Sequence, residues 1–187
     1  MFTRRKYLIS SISTLLTAMS STPCLIWAVD LPARRSSTII ENWKRYLPTK
    51  FDQIEVEPRF TPDKLRLEEM LSALEYDVLL NQGTEMPFSS SLNHEYRPGV
   101  FLCKLCGLPL FSSNMKYNSG TGWPSFTETI PGHISTKQDF SLVWPRTEYH
   151  CAKCGSHQGH VFNDGPMPAG KRWCNNGVAL KFLPKAS

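Results

Sequence analysis

Two C-x-x-C-G segments constrain this 187-residue chain more than any other feature. One holds Cys103 and Cys106, the other holds Cys151 and Cys154, and 44 residues lie between the two pairs. Such knuckles direct their sulfurs toward one point, and two of them supply the four soft ligands of a tetrahedral zinc site. Because all four ligands are protein sulfur, we expect one structural Zn²⁺ per chain that pins distant parts of one domain. Disulfides are the alternative in an exported protein.

The N-terminal segment has the pattern of an export signal. A basic cluster, R-R-K, precedes the 22 residues Leu8–Val29, which carry no charge, and T-R-R-K-Y-L-I resembles a twin-arginine signal. We expect a signal peptide over residues 1–28, cleaved after Ala28. The protein would then be periplasmic, exported by the twin-arginine or the general secretion route, and would meet the membrane only for export. An uncleaved membrane anchor is the alternative, although the many Ser and Thr residues make a poor span.

The rest of the chain divides into an extension and a domain. Residues 29–60 have prolines and scattered charges without a sustained period, which is typical of a linker or extension. Residues 61–185 form the predicted domain, beginning with an amphipathic helix over 62–81 that Thr-Pro can start. Beyond it, period-two segments such as 140–144 and 178–182 predict small antiparallel sheets in a mainly β fold. No strand–helix–strand alternation appears, which argues against a parallel α/β fold.

The net charge of +5 does not indicate a nucleic-acid partner. Residues 1–50 contain eight Lys and Arg against two Asp and Glu, a surplus of +6. Residues 51–187 contain thirteen against fourteen, so the predicted domain is close to neutral. Phosphate binding needs a basic surface that such a domain lacks.

Cys174, in K-R-W-C-N-N-G, stands apart from the paired cysteines. A lone cysteine is more often an inert buried residue than a nucleophile. Here the basic neighbours Lys171 and Arg172 can favour the thiolate form. Two histidines upstream, His157 and His160, are candidate proton donors. The neighbourhood therefore favours a reactive thiol.

Five stretches keep their order and spacing across residues 62–183: G-T-E-M-P-F (83–88), C-K-L-C-G-L-P-L-F (103–111), Y-N-S-G-T-G-W-P-S-F (117–126), C-A-K-C-G-S-H-Q-G-H-V-F-N-D-G-P (151–166) and R-W-C-N-N-G-V-A-L-K-F (172–182). Together they resemble the type B methionine sulfoxide reductases, which act on the R epimer of methionine sulfoxide. The resemblance implies two antiparallel sheets with a helix at the N-terminal end, and a zinc on the face away from the active site.

The resemblance also implies roles for single residues. Cys174 would be the nucleophile, and three residues would share the catalytic site with it: His157, His160 and Asn176. Three others would bind the substrate: Trp123, whose ring walls the methyl pocket, Phe162 and Arg172. Asp164 lies on a motif position nearby. The expected substrate is an oxidised methionine in a protein or peptide.

These residue types suit the reduction of a sulfoxide. A thiolate attacks the sulfoxide sulfur only if an acid protonates the departing oxygen, and a histidine near its ordinary pKa can do so. The products are methionine and a sulfenic acid on Cys174. An aromatic face for the methyl group and polar groups for the oxygen can select one epimer.

The chain departs from the family at Thr121, where many members carry a second, resolving cysteine. Without it, the sulfenic acid on Cys174 cannot form the usual internal disulfide, so we expect an external, thioredoxin-like thiol as the reductant. Cys24, in the predicted signal, is the only spare cysteine. Two other classes remain open from the residues: a non-catalytic ligand-binding module of the same fold, and a disulfide oxidoreductase built on a C-x-x-C pair.

We predict that the exported protein begins at Val29, because the small residue Ala28 lies near the end of the uncharged stretch. Intact-mass measurement of the protein from the periplasmic fraction tests this. A protein that retains Met1 and stays in the membrane fraction would contradict the prediction.

Overall fold

The computed structural model describes residues 42–47, 64–141 and 144–185, all of which belong to one compact unit. The predicted signal, its cleavage site and most of the predicted extension lie outside the described residues. Within them, nine short strands form two antiparallel sheets and the helices are few. This confirms the predicted mainly β fold.

The helices lie at the N-terminal side: α1 (Lys64–Met70) and α2 (Ala73–Asn81). The strands follow in order: β1 (Gly99–Cys103), β2 (Pro109–Ser112), β3 (Lys116–Tyr117), β4 (Ser125–Phe126), β5 (Ile134–Asp139), β6 (Arg146–Cys151), β7 (His157–Phe162), β8 (Arg172–Asn175) and β9 (Leu180–Pro184). Four short 3-10 turns complete the described elements: Trp43–Tyr46, Ser91–His94, Ser113–Met115 and Gly177–Ala179. Among the described residues, no helix has the length and apolarity needed to span a membrane.

The single helix predicted over 62–81 is wrong, because the chain breaks it before Ser72. Ser72 caps α2: its hydroxyl accepts from the Glu75 backbone N–H at 3.3 Å, and its own N–H donates to the Glu75 carboxylate at 2.8 Å. This capping box satisfies two backbone groups that a continuous helix would bond internally. The helix pair ends at Gln82, which adopts a left-handed conformation.

The two sheets differ in size. The smaller has the strand order β2-β1-β9, and the larger has the order β3-β4-β8-β7-β6-β5. All pairs are antiparallel, and the C-terminal strand returns to pair with β1, where Phe101 lies opposite Phe182. The short strand β8 lies inside the larger sheet, between β4 and β7.

The core between the sheets contains four buried aromatic rings among its aliphatic residues. Phe111 of β2 stacks on Phe126 of β4 with ring centroids 3.9 Å apart, and Phe101 of β1 meets Phe126 edge-on at 5.0 Å. Tyr149 of β6 contacts Phe111 from the larger sheet. Leu47, in the described part of the predicted extension, is also buried in this core. Ring packing of this kind contributes beyond the area that it buries.

The strand predicted around 140–144 is absent from the described part of that segment. β5 ends at Asp139 and β6 begins at Arg146, and the two residues close the hairpin as an ion pair at 2.6 Å. Phe140 and Trp144 are 75% and 81% exposed, so their alternation marks no buried face. The segment predicted over 178–182 is a strand only from Leu180 onward, since Val178 belongs to a 3-10 turn.

We predict that Phe126→Ala lowers the free energy of unfolding by about 3–5 kcal/mol, because it removes the ring that joins both sheets. Urea unfolding of the metal-loaded protein measures the change. Phe140→Ala is the matched control, and its exposed ring should contribute within about 0.5 kcal/mol. Equal losses in the two variants would contradict this account of the core.

Candidate active site and metal centre

A small cleft of about 120 Å³ opens on the larger sheet. Ligand sites for drug-sized molecules usually enclose roughly 300–1,000 Å³, so this cleft suits a single side chain. Its walls combine one thiol, two aromatic rings and several polar groups: Thr84, Trp123, Arg146, Gly159, His160, Phe162, Cys174, Asn175 and Asn176. Five of the seven residues predicted for catalysis and substrate binding therefore line one cleft.

Strand pairing places Cys174 at the centre of this cleft. On β8 it lies opposite Ser125 of β4 on one side and opposite His160 of β7 on the other. Directly opposed residues of antiparallel strands project to the same face, with Cβ atoms about 4.5–5.5 Å apart. Cys174 and His160 are thus held side by side by the backbone of the sheet.

The Cys174 thiol has a pKa above its ordinary value, because burial disfavours the thiolate. The positive charge of Arg172 opposes this, and hydrogen bonds from Thr121, Ser125 and Arg172 also lower the pKa. The basic residues beside Cys174 predicted that Arg172 lowers the thiol pKa. The larger, opposite effect of burial was not predicted. At neutral pH the thiol is therefore mostly protonated before substrate binds.

Thr121 lies directly beside the nucleophile. Its hydroxyl bonds the Ser119 hydroxyl at 2.9 Å, and Ser119 bonds Ser125 at 2.7 Å. Thr121 and Ser125 both reach the Cys174 sulfur. A row of hydroxyls thus occupies the place where the family resemblance implies a resolving thiol.

His160 is oriented by a carboxylate that the sequence analysis missed. Its Nε2 lies 2.8 Å from the Oδ2 of Asp139, and the Arg146 guanidinium donates to the same oxygen at 2.6 Å. Hydrogen bonds from Ser141 and His160 hold the pKa of Asp139 well below its usual range. Burial lowers the pKa of His160, and the Asp139 carboxylate opposes that shift. His160 is thus fixed in place and mostly neutral.

His157 lies behind His160 and does not line the cleft. The two rings contact each other with centroids 5.5 Å apart, and the His157 side chain is 1% exposed. Burial lowers the pKa of His157 to about 4. Its predicted catalytic role stays a prediction, because the structure brings it to the site without exposing it to a substrate.

Trp123 and Asn176 are held by a second missed residue, Glu85. The Trp123 indole N–H donates to the Glu85 carbonyl at 3.1 Å, and the Asn176 side chain accepts from the Glu85 N–H at 3.0 Å. The buried Glu85 carboxylate accepts from the N–H groups of Gly177 and Val178 at 2.6 and 2.9 Å. Glu85 lies in G-T-E-M-P-F, a stretch that the resemblance marked without giving this residue a role.

Arg172 and Phe162 form a second side of the site. Arg172 pairs with the Asp164 carboxylate through two hydrogen bonds of 2.9 Å, and its guanidinium lies over the Phe162 ring at 4.3 Å. Phe162 lines the cleft, whereas Arg172 lines the neighbouring cavity with Thr121 and Asp164. Arg172 also bonds the sulfur of Cys174, which lines the cleft.

The four paired cysteines converge away from the cleft walls, where the sheets meet. Cys103 ends β1 and Cys151 ends β6, so one knuckle comes from each sheet. The knuckles have the same turn: the N–H of Gly107 bonds the Cys103 carbonyl and that of Gly155 bonds the Cys151 carbonyl, each at 2.9 Å. Both glycines adopt φ +73°, which suits residues without a Cβ.

The spacing of these sulfurs fits a metal ion. The Sγ atoms of Cys103 and Cys154 are 3.6 Å apart, and those of Cys106 and Cys151 are 3.5 Å apart. A tetrahedral zinc with bonds of about 2.3 Å separates its sulfurs by roughly 3.8 Å, whereas a disulfide needs about 2.05 Å. The Ser156 hydroxyl reaches Cys103 and Cys154, as a partner of metal-bound sulfur would. The cluster can therefore hold a metal ion.

A family model, the SelR domain, matches residues 71–184 of the chain. The chain belongs to the SelR-domain family. The match spans both sheets, the cleft and all four paired cysteines, and it supports the resemblance to type B methionine sulfoxide reductases drawn from the motifs.

Curated relatives agree with the SelR assignment. The peptide methionine sulfoxide reductase MsrB of Bradyrhizobium diazoefficiens is 48% identical over 116 residues, which cover 62% of this chain and 84% of that protein. The MsrB of Caulobacter vibrioides is 49% identical over 127 residues, covering 67% and 80%. The mitochondrial methionine-R-sulfoxide reductase B3 of Mus musculus is 40% identical over 145 residues, covering 77% and 53%. A solved Mis18 "Yippee-like" domain aligns with a TM-score of only 0.39 at 18% identity, over 49% of this chain and 100% of that domain, too distant to inform function.

We predict that Arg172→Met raises the pKa of the Cys174 thiol further, because a neighbouring positive charge is lost. Alkylation of Cys174 by iodoacetamide, followed against pH in a Cys24→Ser background, should slow severalfold near pH 7. Lys171→Met is the control, since Lys171 is exposed and bonds Asn163 instead. An unchanged pH profile in Arg172→Met would contradict the electrostatic role.

Proposed function

We propose that this protein reduces methionine-R-sulfoxide to methionine through the thiol of Cys174. The observation that carries the proposal is the cross-strand pair of Cys174 and His160 in a cleft walled by Trp123. A nucleophile beside a proton donor and an apolar surface matches what reduction of a methyl sulfoxide requires. The membership of the SelR-domain family and the names of its relatives support the same reaction.

The proton that the reaction needs comes from the nucleophile itself. Cys174 begins as a thiol and His160 as a neutral imidazole, since burial shifts both pKa values toward the uncharged forms. As the sulfur attacks, His160 takes the thiol proton and delivers it to the sulfoxide oxygen. The Asp139 carboxylate stabilises the imidazolium formed in between.

Atoms and electrons balance without a cofactor in this half-reaction. The sulfoxide sulfur gains two electrons, the Cys174 sulfur loses two, and the S–O bond of the substrate breaks. The oxygen and the thiol proton end together as the sulfenic acid on Cys174, and methionine leaves. Two equivalents of an external thiol then return Cys174 to the thiol, releasing water and a disulfide.

The walls of the cleft support selection of one epimer, and the names of the relatives support the R epimer. The Trp123 ring is fixed by its bond to Glu85 and offers an apolar face for the substrate methyl group. His160 and Asn176 lie on the polar side for the oxygen. When the methyl group lies on Trp123 and the oxygen lies on the polar side, only one epimer directs its sulfur toward Cys174.

We propose an oxidised protein or peptide as the substrate and a thioredoxin-like thiol as the reductant. The cleft has room for one side chain, and the exposed rings of Phe140 and Trp144 lie in the hairpin connection between Asp139 and Arg146. Exposed apolar groups beside a cleft suit contact with an unfolded polypeptide. The hydroxyl of Thr121 cannot resolve a sulfenic acid, so the reductant must approach Cys174 from outside.

We further propose Zn²⁺ as the ion of the four-cysteine cluster. Four sulfur ligands leave no open position, which suits a structural role that holds the two sheets together. We also propose that residues 1–28 direct export to the periplasm. This is compatible with a zinc site, because a protein exported in the folded state can acquire its zinc in the reducing cytosol.

We predict turnover of the R epimer alone. With dithiothreitol as the reductant, each epimer of a methionine sulfoxide peptide is supplied separately to the wild-type protein and to Cys174→Ser. The wild type should reduce the R epimer and leave the S epimer, and Cys174→Ser should be inactive. A folded, metal-loaded wild type that reduces neither epimer would make the non-catalytic binding module the better account.

We predict that Asp139→Asn lowers kcat by roughly tenfold to a hundredfold with little change in KM, less than the 10²–10⁴ that general acid catalysis can supply. Asp139 acts through His160 as a positioning residue, so substrate binding should persist. Gln138→Ala, on the exposed face of the same strand, is the control. A rise in KM at unchanged kcat would contradict this role.

A further inference from the structure

A second group of metal-binding side chains lies on the larger sheet, apart from the four cysteines. Glu148 and His150 are two residues apart on β6, and His157 lies opposite His150 on β7. All three side chains therefore project to the same face of the sheet. One donor atom from each lies within 4.8 Å of the others.

Three ring nitrogens of this group are buried, and for two of them the nearest charged group is the Glu148 carboxylate. The side chains of Glu148, His150 and His157 are 2%, 14% and 1% exposed. Within the described part of the chain, neither ring nitrogen of His157 nor the Nε2 of His150 makes a hydrogen bond. Burial of a polar group without a hydrogen bond is unfavourable, so these nitrogens can take a further partner such as a metal ion.

The distances between the donors match a coordination shell. The His150 Nε2 lies 3.3 Å from Glu148 Oε1, and the His157 Nδ1 lies 3.4 Å from Glu148 Oε2. Bonds of about 2.0–2.1 Å in a tetrahedron separate the ligands by roughly 3.3–3.4 Å. Two imidazoles and one carboxylate form a known ligand set for zinc and similar ions, with water in the remaining position.

We propose that Glu148, His150 and His157 form a second divalent-metal site that takes Zn²⁺ or an ion of similar preference. Glu148 contributes a carboxylate to the site, which favours a cation. Lys137 is the one cation that an ion pair joins to Glu148 within the described residues, at 3.0 Å, and its largely exposed side chain can swing into solvent when the ion enters.

The site differs in its donors from both centres described above, although the His157 ring contacts His160 and His150 directly precedes Cys151 in the chain. Its oxygen and nitrogen donors differ from the thiolates of the four-cysteine cluster, and neither Glu148 nor His150 lines the reductase cleft. His150 had no role in the sequence analysis, and its Nδ1 is already bonded to the Gly155 carbonyl at 3.1 Å. That bond leaves Nε2 for the metal, which is the usual way a protein orients a ligating histidine.

Metal counting on the untagged, full-length protein tests the proposal. After dialysis against zinc, we expect two equivalents per chain in the wild type and in Cys174→Ser. We expect one equivalent in His150→Ala and in Glu148→Gln. His94→Ala, which removes an exposed histidine elsewhere, should retain two. One equivalent in the wild type, or two in His150→Ala, would overturn the proposal.

Cobalt as a probe identifies the donors. Co²⁺ added to protein that already holds one zinc per chain should produce visible ligand-field bands without an added sulfur-to-cobalt charge-transfer band. The same bands should be lost in His150→Ala, whose retained first zinc and unchanged circular dichroism show that it folds. Bands that persist in both His150→Ala and Glu148→Gln would place the ion elsewhere and overturn the site.

Discussion

The pairing of strand β8 with both of its neighbours is the constraint on which the site depends. This four-residue strand lies between β4 and β7, so the backbone alone sets Cys174 between Ser125 and His160. Both Cys174 and His160 lie on paired strands and not on loops. A sheet holds such a pair more closely than loops do, and catalytic geometry tolerates little error.

The elements on either side of β8 depend on this arrangement in turn. Glu85 is buried against the segment that follows β8 and positions Trp123 and Asn176 at the same time. The aromatic core beneath the sheet reaches the same strand, since the Tyr149 hydroxyl donates to the Asn175 side chain at 2.7 Å. The four-cysteine cluster joins the two sheets where β1 and β6 end. Core, metal centre and cleft are therefore parts of one packed unit.

The motifs predicted most of the side chains that line the cleft, because those residues have strong local signals in the sequence. The two C-x-x-C-G segments predicted the four-cysteine cluster, and Arg172 is close to Cys174 in the sequence as well as in the fold. The contacts of Asp139 with His160 and of Glu148 with His157 could not be predicted in this way, because they form only when strands β5, β6 and β7 pair. The strand predicted around 140–144 was wrong because Phe140 and Trp144 alternate in the sequence but are both exposed. The helix break at Ser72 does have a sequence signal, the S-x-x-E pattern of its capping box. The apolar periodicity over 62–81 favoured a single continuous helix instead.

The measurement that tests the central claim most directly is the chemical state of Cys174 after one turnover. One equivalent of methionine-R-sulfoxide peptide is added without reductant, the protein is treated with dimedone, and peptides are mapped by mass spectrometry. The account predicts one methionine formed and one dimedone adduct on Cys174, because Thr121 offers no thiol to resolve the sulfenic acid. Methionine formed without any adduct, with Cys174 unmodified or joined to Cys24, would contradict it.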